Sequence, residues 1–227
     1  MKKKKSLEMI KPDSSVLDPE NTPGLVLVSE VLPDCIPILP VRMRPYFPGF
    51  TVPVSVTGDH LERIQRIISE ADETVGLILV EDEKSDDSPD NLYQVGVAAK
   101  IVKAIQSEEE TAHVLLNCVA RFTIQELKTN KNGWTALVKY HQESDLSENE
   151  ELKAYSMAIV ATLKELVQLD PLQSEAIKLF LSHSAMQDPG KLADLSATLT
   201  TASPKSLQEI LETKSIKTRI EKALYLL

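Results

Sequence analysis

The sequence predicts an α+β chain: a mixed, mostly antiparallel β-barrel-like lobe with one helix, followed by a C-terminal α-helical bundle. Three observations predict it. A β-branched ribbon punctuated by Pro37, Pro40, Pro45, Pro48 and Pro53 fills residues 35–55. Apolar residues then alternate with period two between tight turns from residue 92 to 142. Beyond an acidic linker at 144–149 the apolar spacing changes to three and four. Strands grouped before helices give an α+β architecture.

Residues 1–33 read as a flexible leader, polar and rich in proline, with residues 25–28 (Leu-Val-Leu-Val) as a short strand. The β lobe is expected over 34–143. Its ribbon pairs two runs, 36–41 and 51–56, around a loop containing Pro45, Pro48 and Gly49. Proline cannot donate to a ladder, so Pro37, Pro40 and Pro53 confine these runs to edges, bulges or strand starts. Asp59 as N-cap, with Glu62 three residues on, opens a helix carrying Leu61, Ile64, Ile67 and Ile68 to about residue 70. Residues 75–80 form a buried strand. Val95, Val97, Ala99 and Ile101 alternate along the next, residues 111–116 and 121–128 continue the β region, and Asn130 to Gly133 is a hairpin turn before a return strand at 134–140.

A helical bundle is expected over 150–227. Leu152, Tyr155, Ile159, Leu163, Leu166 and Val167 share one stripe. Ala176, Ile177, Phe180 and Leu181 mark a second helix, and Leu192, Leu195 and Leu199 follow the Asp188-Pro189-Gly190 break. Ser203 as N-cap with Pro204 at the first position starts another. The last stripe, Ile216, Ile220, Leu224 and Leu227, meets no stop signal, so the final helix is expected to continue in a longer protein.

Composition excludes several functions. A net charge of -9 disfavours nucleic acid as a partner, since binding it rests on Lys and Arg neutralising phosphates. The one basic cluster, Lys2 to Lys5, reads as a solvated tail. No apolar run is long enough to span a membrane, and Glu30, Pro33 and Asp34 interrupt the early apolar window that a signal peptide would need. Two cysteines, Cys35 and Cys118, make neither a disulfide framework nor a zinc site, and a reducing cytoplasm is the expected compartment.

No catalytic constellation emerges. The seven glycines are too far apart for a phosphate-binding loop, and neither a G-x-S-x-G elbow nor an H-E-x-x-H motif is present. The carboxylate-rich stretch 81–90 lacks the glycine that a calcium loop turns on, and reads as solvated. His113 and Cys118, five residues apart, fall on opposite faces of a strand, which leaves Cys118 a buried structural residue. The chain itself is therefore expected to be no enzyme, with no catalytic residue, cofactor or metal.

Four segments, in order, carry a family resemblance. Leu39-Pro-Val-Arg, Phe47-Pro-Gly and Val52-Pro-Val resemble the opening of the Lon protease N-terminal domain, with its Leu-Pro-Leu-Arg, Phe-Pro-Gly and Pro-Leu. Leu92-Tyr-Gln-Val-Gly-Val-Ala-Ala-Lys-Ile, ending later in Arg121-Phe-x-Ile, resembles the family's Leu-Tyr-x-Val-Gly-x-x-Ala-x-Ile and Arg-Phe-x-Ile. Pro189-Gly-Lys-Leu-Ala-Asp is similar to its Pro-x-x-Leu-Ala-Asp, and the segments from Leu207 and Ile216 to the approach of its long connecting helix. The chain departs from the family at Cys118, where glycine is common, and at Met43-Arg44-Pro45.

The resemblance implies a PUA-like β lobe and a helical bundle that bind unfolded or tagged proteins and support assembly of a homohexamer. It implies a parent ATP-dependent serine endopeptidase for protein quality control, with ATP and Mg in an ATPase module and a serine–lysine protease module, both outside this chain. A stand-alone Lon-domain adaptor and an RNA-binding PUA-like module are the competing readings, the second opposed by the charge. Tyr46, Phe47 and Phe50 on the proline-rich loop are the candidate substrate contacts; the alternative is that they plug the barrel.

Overall fold

The computed structural model describes residues 32–69, 73–85, 88–108, 111–130, 133–142, 150–169 and 188–227. Residues 1–31 of the expected leader with its strand at 25–28, the linker expected at 144–149, and the helix expected around 176–181 lie outside them. The last two leader residues do not: Leu32 is 4% exposed in the core, and the Pro33 carbonyl accepts from the Tyr140 hydroxyl at 2.6 Å, so the packed β lobe begins before residue 34. In chain order the elements are β1 (Cys35–Val41), β2 (Thr51–Thr57), α1 (Asp59–Ser69), β3 (Thr74–Leu79), β4 (Val95–Glu108), β5 (Thr111–Asn130) and β6 (Gly133–Tyr140). The helices α2 (Glu150–Leu169), α3 (Pro189–Leu199), α4 (Pro204–Glu212) and α5 (Ile216–Leu226) follow.

The six strands form one sheet in the order β2-β5-β4-β3-β1-β6, and β6 also pairs with β5. The pairing path β5-β4-β3-β1-β6 therefore returns to β5, with β2 added outside it. β1 and β3 run parallel, and the other pairs are antiparallel.

Two features of this sheet differ from the sequence reading. The two runs expected at 111–116 and 121–128 are one strand of 20 residues. Register shifts at Ala98/Ala99 and Ile124/Glu126 let it bend from β4 and β2 onto β6 without leaving the ladder. The proline-bearing β1 is not at an edge. It changes partners midway: Cys35, Ile36 and Pro37 pair with β6, then Ile38 to Val41 pair with β3. Each proline thus has a ladder on one side only, which satisfies the donor constraint by a different route. Arg63 of α1 fills part of the vacated side, donating to the Ile38 carbonyl at 3.0 Å.

Neighbouring residues on a strand face opposite ways, so β1, β3, β4 and β5 each feed two cores, whereas β2 serves one and β6 the other. Ile36, Ile38, Ile78, Ala98, Phe122 and Ala136 form one cluster. Leu39, Leu77, Val97 and Ala99 belong to the other, which contains Leu61, Ile64 and Ile67 of α1 and Ile159, Leu163, Leu192, Leu207, Ile210 and Ile220 of the later helices. β3 is buried along its whole length because both clusters need it. The Phe122 ring requires space opposite it: a Cβ on Gly96 would lie 2.9 Å from Phe122 Cζ and 2.5 Å from the Leu77 carbonyl oxygen.

The starts of α3, α4 and α5 follow side-chain caps, whereas α1 begins at Asp59 itself, the residue expected as its cap, with the Gly58 carbonyl accepting the first amides. Asp188 accepts from the Lys191 amide at 3.1 Å, Ser203 from Ser206 at 3.1 Å and Ser215 from Thr218 at 3.4 Å. No described helix is long and apolar enough to cross a membrane.

Candidate functional site

The loop between β1 and β2 is fastened at both sides. Arg42 donates to the carbonyls of Glu83 (2.6 Å) and Ser85 (3.1 Å). The Arg44 guanidinium donates to the carbonyls of Ala197 (3.1 Å) and Thr198 (3.0 Å) in the last turn of α3. The Ala197 carbonyl also accepts from the Thr200 hydroxyl at the helix C-cap, 3.2 Å away, and a cation suits the negative end of the helix dipole. Further along, the Gly49 amide donates to the Cys118 carbonyl at 2.8 Å, and the Cys118 amide to the Phe50 carbonyl at 2.9 Å. Gly49 has φ +86, so the Phe-Pro-Gly-Phe turn needs glycine at that point.

These anchors decide where the candidate residues go. Phe47 is 3% exposed and belongs to the large core cluster, so it offers almost no surface to a partner. Tyr46 and Phe50 are half-buried against that cluster. Met43, between the two anchoring arginines, is 81% exposed. The sequence reading left Met43 out of the contact set. Its signal was the Arg-Met-Arg pattern, which alternation would splay so that the methionine points away from both anchors.

No acid–base group is poised at the loop. Burial pushes the Tyr46 hydroxyl above its ordinary value, with Cys118 adding to that and Arg44 opposing it. Cys118 is 1% exposed, and burial pushes its thiol up to about 12. His113 is exposed on the other face, where it hydrogen-bonds the Ser55 hydroxyl at 3.0 Å, so it does not meet Cys118. Among the described residues no three His, Cys, Asp or Glu side chains come together as a metal site would require.

Behind the loop, a buried ion network ties the sheet to the helices. Arg121 of β5 donates to the Asp194 carboxylate of α3 and, through Nε, to the Leu211 carbonyl of α4 at 3.2 Å. Arg219 of α5 lies 3.8 Å from the same carboxylate oxygen. Arg121, Asp194 and Arg219 are 4%, 2% and 1% exposed. Gln208 of α4 adds a bond to the Val95 carbonyl of β4 at 3.0 Å. α3 thus carries both the carbonyls that hold Arg44 and the carboxylate that holds Arg121. Helices, loop and sheet are set relative to one another by directional bonds, which shaped apolar packing alone does not supply.

The arrangement is an anchored, partly apolar loop with an exposed methionine between its two anchoring arginines. The comparisons agree with a binding role. Residues 35–227 match the family model described as the ATP-dependent protease La (LON) substrate-binding domain. The chain is 44% identical over 217 residues to Lon protease 1 of Syntrophotalea carbinolica, covering 95% of this chain and 27% of that protein. It is 39% identical over 231 residues to the Lon protease of Chlamydia pneumoniae, covering 95% of this chain and 28% of that one. It therefore spans about a quarter of the length of these relatives. Its fold is similar to the N-terminal domain of a Mycobacterium avium complex Lon protease, with a TM-score of 0.66 at 18% identity, covering 85% of this chain and 97% of that one. The Lon N-terminal domain protein of Xanthomonas campestris gives 0.58 at 15% identity, covering 84% and 97%.

Proposed function

The chain belongs to the Lon substrate-binding domain family, and on that premise we propose that it recognises unfolded or tagged proteins for a Lon ATP-dependent serine protease. The site of capture is the loop from Met43 to Phe50. The observation that carries this is the exposure of Met43 between two arginines whose bonds hold the loop still. Tyr46 and Phe50 flank it half-buried, and Phe47 supports them from below. An apolar surface held rigid loses little conformational freedom when a client docks, which favours affinity.

The parent is a cytoplasmic homohexamer that degrades misfolded and regulatory proteins, with ATP and Mg used by its ATPase module and not by this chain. The closed pairing path of the sheet supports the PUA-like barrel reading of the β lobe.

The test is binding of a reduced, carboxymethylated model protein to the Met43→Ser/Tyr46→Ser/Phe50→Ser variant. Affinity is expected to fall about tenfold or more, the Met43 change alone leaving the melting temperature where it was. Unchanged affinity in a folded triple variant would remove the loop from the site.

A further inference from the structure

We propose that the outer edge of β2 is a docking strip for an extended polypeptide, which adds to the sheet as a further strand beside the loop. This rests on the substrate-binding reading above and names how a client's backbone is held.

Among the described residues β2 is the end strand of the sheet and pairs on one side, with β5. The Cys118 amide bonds the Phe50 carbonyl, and Thr51 pairs with Asn117, so hydrogen-bonding residues alternate from that point. Val52, Val54 and Val56 direct their backbone groups at β5. Thr51, Pro53, Ser55 and Thr57 direct theirs outward. Their side chains are exposed as well. Three amides and four carbonyls thus face out along a seven-residue strand with no charged residue. Edges are ordinarily guarded by lysines, bulges or prolines; this one has Pro53 alone.

Pro53 decides which occupant fits. A second copy pairing antiparallel with β2 through the two-fold axis would meet the missing Pro53 amide twice, once from each chain. A single foreign strand meets it once. The net charge of -9 further opposes pairing of two copies. The strip begins where Phe50 ends the loop, so a client held by Met43 and Tyr46 continues directly along it. Backbone pairing reads no side chains, which suits clients of many sequences.

The experiment uses the full chain and a labelled decapeptide of alternating valine and threonine, followed by fluorescence anisotropy. The control is the same peptide methylated on four successive central backbone nitrogens, so that neither of its edges can donate across its central half. The unmodified peptide is expected to bind at least about tenfold more tightly. Ser55→Pro removes a second outward amide and should weaken it about fivefold. Equal binding of the two peptides overturns the proposal, and this comparison needs no variant that folds. A dimer of the unaltered chain that Ser55→Pro converts to monomer gives the edge to a second copy and also overturns it. So does a photo-crosslinker at position 57 that captures residues 24–31 of the same chain. If the peptides bind alike while the loop variant still loses the unfolded protein, edge pairing fails and the loop reading stands. If the peptides differ and the loop variant binds normally, the reverse holds.

Discussion

Arg121 and Asp194, 73 residues apart in sequence, share a hydrogen-bonded ion pair between β5 and α3 with both side chains almost fully out of solvent. A buried carboxylate between two guanidinium groups cannot be removed without leaving uncompensated charge. Asp194→Asn is therefore expected to lower stability by about 3 to 5 kcal/mol, read from urea unfolding. A loss below 1 kcal/mol would show that water reaches the arginines.

Gly96 and Gly76 both face the Phe122 ring, yet they differ in what surrounds them. A Cβ at Gly96 meets a backbone oxygen at 2.5 Å, whereas at Gly76 it meets the ends of Ile38, Ile36 and Phe122 at 2.7 to 2.9 Å. Side-chain tips can turn and a ladder carbonyl cannot. Gly96→Ala is expected to lower the melting temperature more than Gly76→Ala, each costing about 1 kcal/mol or more. The reverse order in calorimetry would contradict the packing described.

Arg44→Ala should free the loop from α3. The two bonds to the last helical turn are worth about 1 to 2 kcal/mol together. The affinity for a reduced, carboxymethylated protein should fall as well, because the loop loses its fixed shape. Arg44→Lys keeps the charge without the fork and should recover only part of both effects. Full binding by a folded Arg44→Ala would separate the loop's anchoring from its function.

Cys118 gives a pH signature. Its thiol ionises near pH 9 in the unfolded chain but is held protonated to about pH 12 in the folded one. Above pH 9 the unfolded state loses a proton that the native state keeps, so stability declines as pH rises through that window. Cys118→Ala should flatten this decline in denaturant titrations from pH 8 to 10.5. In native protein at pH 8, iodoacetamide should modify the exposed Cys35 and spare Cys118.

Much of this architecture was legible in the chain because it follows from local signals. The cap at Ser203, the first-turn Pro204, the break at Asp188 to Gly190 and the alternation from Val95 to Ile101 all act within a few residues. What escaped depends on residues far apart. Asp194 sits in a Leu-Ala-Asp-Leu stretch where spacing alone gives it no reason to be buried; only Arg121 and Arg219, brought by other elements, make its burial affordable. The partner switch in β1 escaped for the same reason, since it depends on where β6 diverges. Phe47 looked equivalent to Tyr46 and Phe50 in sequence, and only its place in the packed core, 3% exposed, separates it from them.

The seat of Arg44 on α3 has a mechanical meaning. A pull on a segment gripped at Met43 would pass through the guanidinium into the end of that helix, then through Asp194 into Arg121 and the sheet. The loop behaves as a tethered cleat, and tension on a captured strand is shared across the fold before any single turn of backbone gives way.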